Sequence, residues 1–226
     1  MKKMNNADPA LVVGELPART HGPAYICNMR IRTAFLLLFL LIFAACKERI
    51  YTPKPRAYPK VVYPEKAYKA FDESTCPFTF DMPVYARIQK DTAFFDQAPL
   101  HPCWFDIYYP QFDGRIHCSY YDVSQEHSLD KLKKDAFEMV DWHNKRANYI
   151  EDEVVSRPEA RVGGMAFNIT GPAASPFQFF LTDTTSHFFR GALYFNTEAR
   201  PDSLAPISAF VKEDILRMIG TFRWRD

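Results

Sequence analysis

CWFDIYYPQFDGRIHCSYY, residues 103–121, consists of two aromatic, β-rich runs, 103–109 and 115–121, joined by Pro110-Gln111-Phe112-Asp113-Gly114. Asp-Gly between such runs is a hairpin signal, because both residues tolerate the positive φ of a tight turn. The period then changes. In SLDKLKKDAFEMVDWHNKRANYI, residues 128–150, Leu129, Leu132, Ala136, Val140, His143 and Ala147 recur at three- and four-residue steps. That spacing predicts one apolar helical face, with Ser128 as N-cap. A hairpin excludes a wholly parallel sheet, and a helix directly after it has a sheet face to cover. The fold class that follows is α/β (α+β), a mainly antiparallel sheet flanked by helices.

Upstream, FTFDMPVYARI (78–88) reads as one strand whose Pro83 marks an edge or a bulge. Downstream, strands are expected near Val154, over Val162–Ile169, Phe177–Thr182 and Phe188–Asn196, with Gly171-Pro172 as a turn and Asp183–His187 as a second hairpin loop. A closing helix is predicted with Asp202 or Ser203 as cap and Pro206 in its first turn. Ile207, Val211, Ile215, Met218 and Phe222 lie on one face.

The N-terminal part is organised differently. MRIRTAFLLLFLLIFAAC, residues 29–46, places Arg30 and Arg32 before an apolar run from Ala34 to Phe43 and ends Ala44-Ala45-Cys46. This charged, apolar, small-small-Cys order is that of a lipoprotein signal peptide, and the run is shorter than the roughly 20 residues that span a bilayer. Residues 29–45 are expected to be removed, leaving Cys46 as a lipidated N-terminus that carries acyl chains such as palmitate. Residues 1–28, with Asp8, Glu15 and three prolines ahead of the positive region, fit no signal design and read as a start-site artefact with Met29 the initiator. Residues 46–70 form a basic tether, with Pro53, Pro55, Pro59 and Pro64 between cations. Proline stiffness makes its first part a spacer of roughly 55 Å. Residues 71–226 are one globular domain.

Charge divides the same way: residues 46–71 hold seven basic and two acidic side chains, residues 72–226 sixteen and twenty-three. An acidic domain lacks the cationic face that nucleic acid requires, so no nucleic-acid partner is expected. The basic tether suits anionic lipid headgroups.

Candidate chemistry is sparse. Cys76, Cys103 and Cys118 are an odd number, read either as three buried hydrophobes or as one disulfide and a spare thiol. A hairpin turning at Phe112 sets Cys103 opposite Tyr121 and Cys118 opposite Asp106, sulfurs on opposite faces, which disfavours a 103–118 bridge and leaves Cys76 the better partner of either. Ser175 lies in Ala-Ala-Ser-Pro with no Gly-x-Ser-x-Gly elbow to expose it beside Asp183 and His187. The histidines 101, 117, 127, 143 and 187 show no i,i+4 pair, and neither a metal nor a cofactor is expected. The loop Asp183, Thr184, Thr185, His187 with the adjoining Arg190 is the candidate interaction loop, since loops on rigid hairpins carry recognition. The competing expectation is that Asp183 caps its own turn and Arg190 pairs with a carboxylate.

Residues 171–196, GPAASPFQFFLTDTTSHFFRGALYFN, together with Pro-Cys-Trp at 102–104, Asp-Ser-Leu at 202–204 and the terminal DILRMIGTFRW (214–224), resemble the GldD family of gliding-motility lipoproteins of Bacteroidota. The resemblance runs over essentially the whole chain from Cys46. It implies a membrane-anchored, periplasm-facing component of the cell envelope, needed for surface gliding and for the type IX secretion machinery linked to it. It implies other envelope proteins as partners and no enzyme activity. The element order also looks like the Mog1/PsbP-type α/β/α sandwich, a likeness of fold that carries no function. An uncharacterised envelope enzyme or ligand-binding module is the alternative. A deep pocket with convergent polar groups would mark the enzyme, and a shallow patch with exposed aromatics the assembly factor.

Overall fold

The computed structural model describes residues 31–39, 60–90, 101–197 and 200–225. The chain divides into two compact units, residues 1–56 and 57–226. In the first, residues 31–39 of the apolar run are helical and exposed. No helix among the described residues is long and apolar enough to cross a membrane. Cys46 and the tether up to residue 59 lie outside the described residues.

The described residues of the second unit form ten strands and two long helices. The strands are β1 (Tyr68–Phe71), β2 (Phe78–Pro83), β3 (Arg87–Gln89), β4 (Phe105–Tyr109), β5 (Gly114–Asp122), β6 (Tyr149–Arg157), β7 (Val162–Thr170), β8 (Phe177–Thr182), β9 (His187–Phe195) and β10 (Arg223–Trp224). The helices are α1 (Leu129–Asp141) and α2 (Pro201–Thr221). A seven-stranded antiparallel sheet runs β3-β4-β5-β9-β8-β7-β6, and a small sheet runs β1-β2-β10. This is the expected α/β architecture with antiparallel sheets flanked by helices.

Alternation along the strands sorts side chains into two cores. Phe105, Ile107, Ile116, Tyr120, Phe179, Phe189 and Leu193 face the small sheet and the α2 side chains Val211, Ile215 and Met218. Phe167, Ile169, Phe180 and Phe188 face Leu132, Ala136 and Val140 of α1. The interior strand β8 is buried along its whole length, and each large apolar side chain so placed contributes about 1.5–3 kcal/mol relative to exposure. Gly191 is what admits Phe179: a Cβ there would lie 2.3 Å from the Phe179 ring.

Several sequence expectations shift. The run 78–88 is two strands in two sheets, because Pro83 ends β2 and the Ala86 N–H closes a turn onto the Pro83 carbonyl (3.2 Å). The hairpin register is one residue from that expected: Cys118 lies opposite Phe105, and Asp106 opposite His117. Cys103 precedes β4 and bonds to Cys76 (Cα–Cα 5.6 Å), leaving Cys118 as a buried free thiol. The α1 helix has its Ser128 cap, whose Oγ accepts from the Lys131 N–H (3.4 Å), but it ends at Asp141, and His143 falls in a single 3-10 turn after it. Helix α2 begins at Pro201, so Asp202 is in its first turn and Pro206 inside it. The packed domain starts ahead of Phe71, since β1 begins at Tyr68 and Tyr63 stacks near Phe210 (4.9 Å) and Phe112 (5.9 Å).

Candidate functional site

The β8–β9 hairpin carries the loop singled out in the sequence. Asp183 Oδ1 accepts from the N–H groups of Thr185 (3.0 Å), Ser186 (2.8 Å) and His187 (2.8 Å), and its Oδ2 accepts from the Thr185 hydroxyl (2.8 Å). Burial alone would raise its pKa. The converging N–H groups of His187, Ser186 and Thr185 outweigh burial and hold the carboxyl at about 2. Thr184, at φ +69°, is a left-handed non-glycine residue in the turn, and its N–H donates to the Thr182 hydroxyl (3.0 Å). The loop is self-satisfied, with Thr184, Thr185 and Ser186 exposed at its tip.

His187 and Arg190 are not brought together. An odd separation on a strand sends side chains to opposite faces. His187 Nδ1 is 2.6 Å from the Tyr120 hydroxyl, and its ring stacks 5.1 Å from Trp224. Arg190 lies on the α1 face beside Tyr121, Tyr194 and Asp135, where burial lowers its pKa and its guanidinium meets the Met139 sulfur.

The structure adds a cluster that sequence reasoning missed. Tyr120 Oη donates to Asp122 Oδ1 (2.6 Å), so His187 Nδ1–H donates to Tyr120 Oη. His101 Nδ1 accepts from the Cys103 N–H (3.1 Å), which leaves its Nε2 facing Asp122 Oδ2 at 3.7 Å. Burial, then the Asp122 hydrogen bond, keeps the Tyr120 phenol protonated far above its ordinary range. The chain His101–Asp122–Tyr120–His187 thus ties the disulfide loop to the β9 hairpin. Its sequence signals were separate: His101 two residues before Cys103, and Asp122 at a strand end.

Two further polar groups are also turned inward. Asp106 bonds His117 Nδ1 (2.6 Å), with Arg115 at 3.4 Å. Asp214 on α2 is fully buried and receives Lys66 Nζ (2.7 Å), Tyr68 Oη (2.9 Å) and Tyr85 Oη (2.8 Å). Ser175 is buried and donates to the Phe177 carbonyl (3.3 Å), at the far end of β8 from Asp183. Burial pushes the Cys118 thiol well up.

Two depressions mark the surface. A hollow of about 420 Å³ lies between the β7–β8 connection and the N-terminal half of α2, lined by Ala, Ile, Leu and Phe side chains together with Asn168, Thr197, Asp202, Ser208 and Lys212. A shallower groove of about 520 Å³ lies between α1 and β6, floored by Phe137, Val140, Ile150 and Phe167. Exposed apolar side chains stand on the same two elements: Phe137 is 44% exposed, Val154 72% and Trp142, in the turn after α1, 73%, while Tyr149 is 64% exposed on the opposite face of β6.

The basic spacer followed by an antiparallel α/β domain places the chain, by class, with the lipoproteins of the cell envelope. The model of the gliding motility lipoprotein GldD family matches residues 48–224, and the chain belongs to that family. Membership makes it a gliding-motility lipoprotein, a membrane-anchored protein of the cell envelope. The fold is also similar to the solution structure of cyanobacterial PsbP (CyanoP) from Synechocystis sp. PCC 6803, at 6% identity over 76% of this chain and 99% of that one, with a TM-score of 0.43. At that level the likeness carries nothing to this chain. None of the curated proteins compared with the chain matches it.

Proposed function

We propose that this lipoprotein is a non-catalytic interaction factor, facing the periplasm and held by lipid on Cys46, that helps assemble the gliding apparatus and the type IX secretion machinery linked to it. Its partners are other envelope proteins of those machines. The observation that carries the reading is the exposed apolar surface of Phe137, Trp142 and Val154 by a shallow groove, with Tyr149 exposed on the other face of the same edge strand. Isolated surface apolar residues are ordinary, but a group of them around a groove marks an interaction site. The polar clusters support the same reading, since the hydrogen bonds of Asp183, Tyr120 and Asp214 run to other groups of the domain.

The test compares two sets of variants in a gliding strain. Trp142→Ala and Tyr149→Ser should keep the fold, stop gliding and lose in-cell crosslinks to envelope proteins. His101→Gln and His117→Gln, where stable, should glide normally. Cys46→Ser should leave the membrane fraction or remain unprocessed. A stable His117→Gln or His101→Gln protein that abolishes gliding while both aromatic variants glide would point to chemistry and overturn the reading.

A further inference from the structure

Strand β6 closes one side of the seven-stranded sheet. It pairs with β7 over nine residues, from Tyr149↔Thr170 to Arg157↔Val162, and no strand lies on its other side among the described residues. A row of its N–H and C=O groups therefore points outward. Edges of this length are ordinarily shortened, broken by proline, covered, or guarded by charged side chains, and the exposed charges that β6 carries are all acidic. The β6 sequence, YIEDEVVSR, has no proline and no lysine, and Arg157 is turned away to the Ile219 and Phe222 carbonyls (3.0 Å each).

Its side chains are patterned. Glu151, Asp152 and Glu153 are exposed and form no ion pair among the described residues. Tyr149 and Val154, also exposed, flank them. Ile150 and Asp152 face the α1 groove, whose rim adds Glu138 and Asp141. Glu138 is 3.6 Å from Lys134, an exposed pair, and Asp141 accepts from Asn144. An apolar floor, an acidic rim and an open backbone ladder lie side by side.

We infer that the β6 edge and the α1 groove take an extended, Lys/Arg-bearing segment of another envelope protein, added to the sheet as a further strand. This deepens the interaction-factor reading and rests on it. Main-chain hydrogen bonds to β6 supply the pairing, and alternate side chains supply the choice of partner. Cations on one face meet Glu151 and Glu153. On the other, a cation meets Asp152 and an apolar side chain enters the groove over Phe137 and Phe167. A second copy of this chain is a poor occupant, because β6 against β6 would set the two carboxylate runs against each other.

The probes are two synthetic peptides, alternating Lys-Val and alternating Glu-Val, added to the detergent-solubilised lipoprotein while amide hydrogen exchange is followed. The Lys-Val peptide should slow exchange of amides in 149–157 and bind about tenfold tighter than Glu-Val at low salt, the difference shrinking as salt screens the charges. Reversing Glu151, Asp152 and Glu153 to Lys should invert that preference, and the milder Glu151→Gln, Glu153→Gln pair should erase much of it if the reversal unfolds the edge. No protection of β6, equal binding of both peptides, or a charge-reversed protein with unchanged preference would overturn the inference. If the peptides fail while in-cell crosslinks from Tyr149 to envelope proteins persist, strand addition falls and the interaction-factor reading stands. Peptide binding with those crosslinks absent would instead sink the interaction-factor reading on which the inference rests.

Discussion

Removing the cation from the Asp214 cluster, Lys66→Met, is expected to cost about 3 kcal/mol of stability. The Asp214 side chain is 0% exposed and that of Lys66 26%, with Nζ 2.7 Å from Oδ1, 2.7 Å from the Phe210 carbonyl and 3.5 Å from the Phe210 ring centroid. Breaking a buried pair by deleting one partner costs about 3–5 kcal/mol, and the partial exposure of Lys66 places this case at the lower end. Two phenol donors, Tyr68 and Tyr85, remain on the carboxylate. Asp214→Leu should cost about as much, since it strands those hydroxyls at roughly 1 kcal/mol each and leaves the ammonium only the Phe210 carbonyl and the exposed Glu213 carboxylate at 3.5 Å. The double variant leaves no unpaired charge and should lose only about 2 kcal/mol, where simple addition would give roughly 6. Urea unfolding of all four proteins, read at constant m-value, measures the coupling. If the single costs add to within about 0.5 kcal/mol, Lys66 is not coupled to Asp214 and the reasoning fails. The pair matters beyond stability, because Lys66 and Tyr68 lie where the spacer meets the domain.

The same cluster should give the domain an alkaline limit. Burial, then the Asp214 hydrogen bond, raises the Tyr68 phenol to about 12 and that of Tyr85 further. With folded values above the unfolded 10.0, both contributions are fully present below pH 10; that of Tyr68 is lost as pH rises through about 12 and that of Tyr85 at still higher pH, so Tyr68→Phe should flatten stability between pH 10 and 12. Asp183 has the opposite sign: its folded value of about 2 lies below 3.8, so its contribution is present above pH 3.8 and lost as pH falls through 2. Discounted for exposure that is about 1 kcal/mol, and Asp183→Ala should remove the acid dependence in that range as seen by urea unfolding at several pH values. The adjacent glycines of β7 should separate cleanly. A Cβ on Gly164 would lie 2.0 Å from the Phe180 carbonyl oxygen, whereas on Gly163 its nearest neighbour is at 3.8 Å. Gly164→Ala should therefore cost about 3 kcal/mol or more in thermal unfolding and Gly163→Ala less than about 1.

Features whose causes are local could be read from the sequence. The 103–121 hairpin needed only Asp113, which takes φ +44°, and the Gly after it; α1 needed only Ser128 and a three- and four-residue apolar step. The run 78–88 failed because its apolar pattern is continuous across Pro83 while its partners are not. Residues 78–83 pair with 68–71 and 223–224, and residues 87–89 pair with 106–108. A two-residue strand at 223–224 has no pattern of its own. Strand parity does not separate Cys103 from Cys118, since in the observed register Cys118 sits opposite Phe105 and both cysteines share the parity of that face. The bridge from Cys76 to Cys103 is possible because Cys103 lies before the ladder and its loop is free to meet the β1–β2 connection.

For the candidate site the limit was parity and edge position. His187 and Arg190 are three apart on one strand, so alternation already separates them, and only adjacency in sequence had suggested a joint role. The acids and aromatics of 149–154 read as a strand, and their charge run suits an edge, but nothing in the nine residues of β6 says which edge or what lies beside it. That distinction comes from strand order: β9, β8, β7 and β6 lie side by side in reverse chain order, and α1, which precedes β6, crosses the sheet face and not its side. Topology thus leaves the carboxylates of Glu151 and Glu153 beside an unpaired backbone, while the same fold turns the acids of residues 106, 183 and 214 onto donors within the domain. Carboxylates already bonded inside have little left for a partner. An edge strand, an apolar groove and acids with no ion pair among the described residues thus coincide at one side of the sheet.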